Sequence, residues 1–329
     1  MSLYTKHKSK KGAFALVSVL VLVSVLSLVA LEFSQRSVLH LRMTMNYALS
    51  KKASSYAFGG YHAALSLLIN DTNSYDGPGD MWFGDLPAVP FGSGSVSVKI
   101  VDEQARFNVA KLVTEFGFED KRRATMLTRL FEELALETRL VDALVDWQDS
   151  DDLPLPQGAE SAYYAALTPP STPRNKPMLS PGEILTVREF DRDLLFLPPA
   201  KRRLTASEEL LPLSEYVTVY GDGKFNINSA PVPVLQCLSA DMDRSIAEDI
   251  ANRRETAPFE KIEDLKEVER VSDVLYDEIS SLITVKSAVF RIESAGRVNA
   301  PGGEISETVT AVVTRQGTGV RVVYFNRSL

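Results

Sequence analysis

The segment from Asp146 to Tyr164, DWQDSDDLPLPQGAESAYY, places Asp149, Asp151, Asp152 and Glu160 in one loop behind a helix-like stretch. Carboxylates this close repel one another unless water or a cation neutralises them, and calcium does so with roughly six to eight oxygen ligands. Asp149, Asp151 and Glu160 stand at the spacing of the first, third and last ligands of an EF-hand loop. The match fails inside the loop, where Leu153 lacks a side-chain oxygen and Pro154 replaces the turn glycine. An EF-hand is rejected. What remains is a calcium loop of another kind, or a solvated acidic loop in which Asp149 or Asp151 caps a turn.

A second candidate runs from Phe225 to Leu265, FNINSAPVPVLQCLSADMDRSIAEDIANRRETAPFEKIEDL. It resembles a helix-hairpin-helix or SAM-like unit, in which an asparagine-rich lead enters one helix and a Pro-Phe pair precedes another. Where such a unit binds DNA, a glycine in the hairpin lets backbone N–H groups approach a phosphate. Here the hairpin reads LSADMDRS, with Asp241 and Asp243 and no glycine, and from Asn226 to Lys286 acidic residues outnumber basic ones by nearly two to one. Nucleic acid is therefore not expected as a partner, and the unit reads as a packing or protein-interaction module.

Other chemistry is excluded or weak. The three histidines, His7, His40 and His62, all lie in or near the N-terminal segment, so the remainder has no Ser-His-Asp triad and no histidine-bearing zinc site. The single cysteine, Cys237, permits no internal disulfide and reads as a small buried hydrophobe. Paired carboxylates can hydrolyse glycosides, but among 43 acidic residues such pairs arise by chance. Trp82 and Trp147 could stack on a sugar, although burial is the ordinary role of tryptophan. No catalytic residue is assigned.

The elements that must position these residues begin with an apolar run. From Ala13 to Leu31 the chain reads AFALVSVLVLVSVLSLVAL, uncharged and broken only by serines. As a helix it would extend about 28 Å, enough to cross a bilayer core. Lys6, Lys8, Lys10 and Lys11 precede it and place the N-terminal end in the cytoplasm by the positive-inside rule. A cleaved secretory signal would have a shorter apolar core and a small-x-small site, which Leu28-Val29-Ala30 supplies poorly. The basic stretch ending at Gly12 instead resembles a prepilin leader cut between Gly12 and Ala13; a plain signal anchor is the alternative. Val38, Leu41, Met45, Leu49 and Ala53 then continue a helical stripe, which predicts one long helix, half in lipid and half packed on a globular head.

A chain of 329 residues, 45% hydrophobic, has ample material for a core, and its net charge of −7 becomes more negative once the N-terminal lysines are set aside. Between Asn70 and Gly94 the Asp, Asn, Gly and Pro content marks a loop. Alternation from Ser95 predicts a strand, and Val289–Val298, Ile305–Arg315 and Val320–Phe325 predict three more. Between them, helical periodicity dominates: Ala124, Leu127, Leu130, Phe131 and Leu134 mark one helix, and Leu140, Val141, Leu144 and Val145 the next. The two β regions need each other to satisfy their edges, so an α+β fold is expected: an antiparallel head interrupted by an inserted helical domain. The divisions are a leader over 1–12, a helix over 13–70 with its membrane span at 13–31, the first part of the head over 71–108, the insertion over 109–288 with the SAM-like unit at 225–285, and the closing strands over 289–329. Phe107-Asn108-Val109-Ala110 and Phe225-Asn226-Ile227-Asn228 echo one another, either as the entrances to two tandem helical units or as two chance asparagine caps.

The order of leader, apolar helix, DWxDxD string with GAE and YY behind it, Asn-Lys-Pro-Met-Leu-Ser stretch, SAM-like unit and terminal strands resembles the K minor pseudopilins of type II secretion systems. The resemblance spans nearly the whole chain. It implies a pilin-like fold, a single-pass inner-membrane protein with its head in the periplasm, processing and methylation by the prepilin peptidase, and assembly with the I and J minor pseudopilins at the pseudopilus tip. It also implies a structural calcium held by Asp149, Asp151 and Glu160, although Ser161 stands where the family often carries another acid. Most pilin-like subunits have glutamate as the fifth mature residue. Here that position is Val17, a departure shared with the K subunits. A minor pilin of a type IV pilus or DNA-uptake system is the alternative.

Overall fold

The computed structural model describes residues 10–84, 86–198, 210–317 and 319–328. In chain order it has helix α1 (Lys10–Asn70), strands β1 (Val89–Phe91), β2 (Gly94–Asp102) and β3 (Phe107–Asn108), helices α2 (Lys121–Glu133), α3 (Leu140–Asp146), α4 (Ser161–Ala165) and α5 (Arg192–Phe196), and strands β4 (Val217–Thr218) and β5 (Phe225–Asn226). Helices α6 (Val232–Gln236), α7 (Arg244–Thr256) and α8 (Asp273–Ile279) follow, then strands β6 (Ile283–Thr284), β7 (Val289–Ala300), β8 (Gly303–Gln316) and β9 (Gly319–Ser328).

The sheet is antiparallel in the order β1-β2-β7-β8-β9. Strand β2 pairs directly with β7, Gly94 opposite Val298 and Asp102 opposite Phe290, so everything between Asp102 and Val289 leaves and re-enters the head at one point. Each strand alone would expose a row of unpaired N–H and C=O groups, and closing this ladder satisfies both β regions. Strand β1 falls in the stretch expected to be loop. Its Pro90 is tolerated because β1 forms an edge of the sheet.

Helix α1 docks on the sheet through small residues. Ala53, Ala57 and Ala64 are fully buried, and a Cβ on Gly296 of β7 would lie 2.1 Å from the Ala53 carbonyl oxygen. A Cβ on Gly60 would in turn meet Ser294 Oγ at 2.3 Å, so helix and strand approach at a distance that only glycine allows. Tyr61, Leu68, Trp82, Ile100, Phe290, Ile292 and Val309 complete this core. The docked stretch is shorter than the sequence stripe suggests. Every side chain from Phe14 to Ala48 is exposed, including Val38, Leu41 and Met45, because the sheet reaches only the last turns of the helix.

The segment between β2 and β7 has a separate core, built on Phe107, Leu127, Phe131, Leu144, Phe225 and Ile250 among others. The two Phe-Asn pairs open this body twice. Phe107 and Asn108 pair in parallel with Val217 and Thr218, and Phe225 and Asn226 with Ile283 and Thr284. Each asparagine accepts a hydrogen bond two residues on, from Ala110 N and Asn228 N, both at 3.0 Å. The rings of Phe107 and Phe225 meet with centroids 5.8 Å apart.

Candidate metal centre in the acidic loop

Helix α3 ends at Asp146, and the chain then winds back so that Glu160 lies at the entrance of α4. One carboxylate oxygen from each of Asp146, Asp149 and Glu160 falls within 4.8 Å of the others. These acids are 0%, 6% and 4% exposed, which leaves them almost no water. Leu155 N donates to both oxygens of Asp146, at 3.2 and 3.1 Å. Asp149 Oδ1 and both carboxylate oxygens of Glu160 are buried with no hydrogen-bond partner, and among the described residues no lysine or arginine forms an ion pair with any of the three.

Burial, which penalises the charged form, pushes the acids up first, and their mutual repulsion adds to it. Asp149 rises to about 6, Asp146 to about 7 and Glu160 to about 8. Orphaned hard oxygens with raised pKa values suit a hard divalent cation, which would supply the missing contacts and the opposite charge together. The donor set therefore fits calcium.

The surroundings hold the loop in place. The backbone at Gly158 passes so near Asp146 that a Cβ there would sit 1.8 Å from Asp146 Oδ2. Arg188 Nη1 donates to Gly158 O at 2.9 Å, and Tyr164 packs edge-on against Trp147 with centroids 5.0 Å apart. Gln148, fully buried, donates to the carbonyls of Val109 and Leu144 and accepts from Met178 N. Asn175 N donates to Trp147 O at 3.0 Å, tying the Asn-Lys-Pro-Met stretch to the loop.

Of the three acids expected from the sequence, Asp149 and Glu160 come together and Asp151 does not. Asp151 is exposed and its Oδ1 accepts from Leu153 N at 2.8 Å, so it shapes a turn instead of lining the cluster. Asp146 takes its place. The EF-hand spacing starts at Asp149 and so overlooks it, although Asp146 and Asp149 stand three residues apart, the helical spacing that puts two side chains on one face. Gly12 and Ala13 fall in the first turn of α1.

In the second candidate unit, the Asn228 amide donates to Phe259 O and accepts from Phe259 N, both at 2.8 Å, so the asparagine lead clasps the later Pro-Phe pair. Asp243 caps α7 by accepting from Ile246 N, and Arg254 turns inward to the carbonyls of Ile227 and Ala230. Cys237 is fully buried and its thiol is pushed up by desolvation. Trp82 and Trp147 are both buried.

Two family models, each described as type II secretion system protein K, match residues 105–196 and 225–286. The first starts two residues ahead of the Phe-Asn pair of β3, and the second at the Phe-Asn pair of β5. Over these two stretches the chain is similar to the type II secretion system protein K family. The protein K of Aeromonas hydrophila is 31% identical over 54% of this chain and 59% of its own length, and that of Klebsiella pneumoniae 27% over 56% and 60%. The match to these two relatives thus spans about three fifths of their length. The protein K of Pectobacterium carotovorum subsp. carotovorum aligns over 96% of this chain and 99% of its own at 24% identity. The fold is similar to a chain of the GspK-GspI-GspJ complex from enterotoxigenic Escherichia coli, with a TM-score of 0.66, 19% identity, and coverage of 88% of this chain and 99% of that one. The α+β reading holds: this chain has a long apolar helix, an antiparallel head and several helices in between, and its fold is similar to that of the neighbour.

Proposed function

We propose that the chain is a minor pseudopilin at the tip of a type II secretion pseudopilus, where it starts assembly and contributes mechanically, without catalysis, to export across the outer membrane. The observation that carries this reading is α1: fully exposed and apolar from Phe14 to Leu31, then continuous with a stretch locked to a sheet from Ala53 on. Such a helix anchors in the inner membrane, with the head in the periplasm, and offers its free apolar length to neighbouring helices. Val17 supports the tip position, because a carboxylate in hydrocarbon is costly unless paired, and a subunit with no predecessor has no terminal amine to pair with. The body between β2 and β7 is bulky enough to obstruct a further subunit.

The related complex holds GspI and GspJ, so the partners proposed here are the I and J minor pseudopilins of the same system. The prepilin peptidase would cut between Gly12 and Ala13 and methylate the new terminus. Co-expression with the peptidase and both partners, followed by detergent extraction, is expected to yield a complex containing all three, in which the chain has a mass starting at Ala13. Retention of Met1, or purification free of both partners, would falsify the reading.

Calcium is the proposed occupant of the acidic loop, held by Asp146, Asp149 and Glu160. It would act as a staple in a body that has no disulfide. Added calcium is expected to raise the melting temperature, and Asp149→Ala with Glu160→Ala to remove that rise. A wild-type melting curve that is the same in calcium and in chelator would sink this proposal.

A further inference from the structure

The loop that leaves α1 reads DTNSYDGPGDMW from Asp71 to Trp82, and it gathers a second set of acids. One oxygen from each of Asp71, Asp76 and Asp80 lies within 4.8 Å of the others. Asp76 is 0% exposed, and its Oδ1 has no hydrogen-bond partner. One cation, Arg315, already touches the cluster, but only along one edge. Arg315 Nη1 donates to Asp71 Oδ2 at 3.1 Å, and Nη2 reaches Asp76 Oδ2. Trp82 Nε1 also ends on Asp71 Oδ2, and Ser287 N on Asp76 Oδ2. Lys286 is held on the oxygens of Asn73. Three carboxylates against the one guanidinium that pairs with them leave net negative charge, and the buried Asp76 Oδ1 is left without a donor.

Asp80 faces the cluster with Gly77 N on its Oδ2 at 2.8 Å and the Asn73 amide on its Oδ1. A cleft of about 450 Å³, lined by Asn70, Asp71, Thr72, Asn73 and Asp80 among others, gives a hydrated ion access from solvent. The donors are all hard oxygens, which select calcium or magnesium over zinc. The position is a joint: Asp76 O accepts from Asn226 Nδ2 of the inserted body at 2.8 Å, and Asp76 N donates to Val285 O just ahead of β7.

We propose that Asp71, Asp76 and Asp80 form a second divalent-cation site, separate from the acidic loop, that fastens the end of the long helix to both the sheet and the inserted body. Arg315 shares the site and lowers the charge left for the ion, so this site binds calcium more weakly than the acidic loop. The inference does not depend on the pseudopilin reading, since it concerns a joint within one chain.

Terbium, a calcium surrogate excited by nearby tryptophan, tests it on the full chain in detergent after chelator treatment. The acidic loop is first silenced by Asp149→Asn with Glu160→Gln. In this background a saturable terbium emission displaced by calcium is expected, because Trp82 bonds to Asp71. Asp80→Asn, which leaves both Arg315 pairs intact, is expected to weaken binding by at least about tenfold. Trp82→Phe is expected to remove the emission while calorimetry still registers calcium binding. Absence of emission in a background with a native near-ultraviolet dichroism spectrum overturns the proposal and leaves Asp71 and Asp76 as a proton-sharing pair. Emission that survives Trp82→Phe also overturns it, since the ion then sits beside Trp147.

Discussion

The two acidic clusters of this protein solve one electrostatic problem in different ways. In the acidic loop, Asp146, Asp149 and Glu160 are buried together, and no described basic side chain forms an ion pair with them. At the helix joint, Asp71 and Asp76 are equally close, but Arg315 forks across both and its guanidinium also lies over the Phe290 ring, 4.9 Å from its centroid. A buried carboxylate must be protonated, paired or metallated. The difference teaches that the joint carries its main counter-charge in the sequence, on β8, whereas the loop must take its own from solution. Stability of the joint should therefore depend chiefly on one arginine, and stability of the loop on ions and pH.

The largest effect is expected from Arg315→Ala. Removing one partner of a buried ion pair leaves an uncompensated charge and costs roughly 3–5 kcal/mol. Asp76, already pushed up to about 7 by burial despite the arginine, would lose the groups that hold it down. Denaturant unfolding of the full chain in detergent should show this loss both with calcium and with chelator, and most strongly with chelator. A loss under about 1 kcal/mol would mean that the joint, too, relies on something other than its arginine.

The next effect belongs to the acidic loop and is a linkage of calcium with protons. All three acids have folded pKa values above their ordinary carboxylate range, so without metal their neutral forms favour the folded state. That contribution is complete below the ordinary carboxylate range and is lost as pH rises through about 6 to about 8. In chelator, the melting temperature should fall between pH 5 and pH 8.5, and Asp149→Ala with Glu160→Ala should reduce the fall to the part that Asp146 and Asp76, both raised to about 7, still contribute. Calcium must displace the protons, so its affinity should rise across the same window. At a hundredfold excess over its dissociation constant, the ion adds about 2.7 kcal/mol. A chelated protein that is most stable at pH 8.5 would break the contrast between loop and joint.

How far these clusters could be read in advance follows from their geometry. The helix, the β regions and the interrupted head were legible because hydrophobic period and the need to pair strand edges are local and topological signals. Asp149 and Glu160 were legible because both stand on one short acidic loop, eleven residues apart. Asp146 was hidden because it belongs to the preceding helix, and only the turn at Gly158 brings the chain back across it. The joint was harder still: DTNSYDGPGD reads as a polar linker, and Arg315 meets it from more than two hundred residues away through β8. The docked length of α1 was overestimated for a similar reason. Val38 to Met45 carries the right period, but period does not say where the sheet ends.

The smallest effect separates residues that line the cluster from those that only shape its turn. Asp151 is exposed, and its Oδ1 accepts from Leu153 N, a turn bond that water can replace. Asp151→Ala should cost no more than about 0.5 kcal/mol, the usual range for a surface substitution. Calcium should then raise the melting temperature of this variant about as much as that of the wild type, while Asp146→Asn removes most of the rise. If Asp151→Ala abolished the calcium response and Asp146→Asn kept it, the ion would lie on the solvent side of the loop, over the exposed acids. The buried oxygens of Glu160 would then be neutralised by protons, and loop and joint would differ in pH response alone.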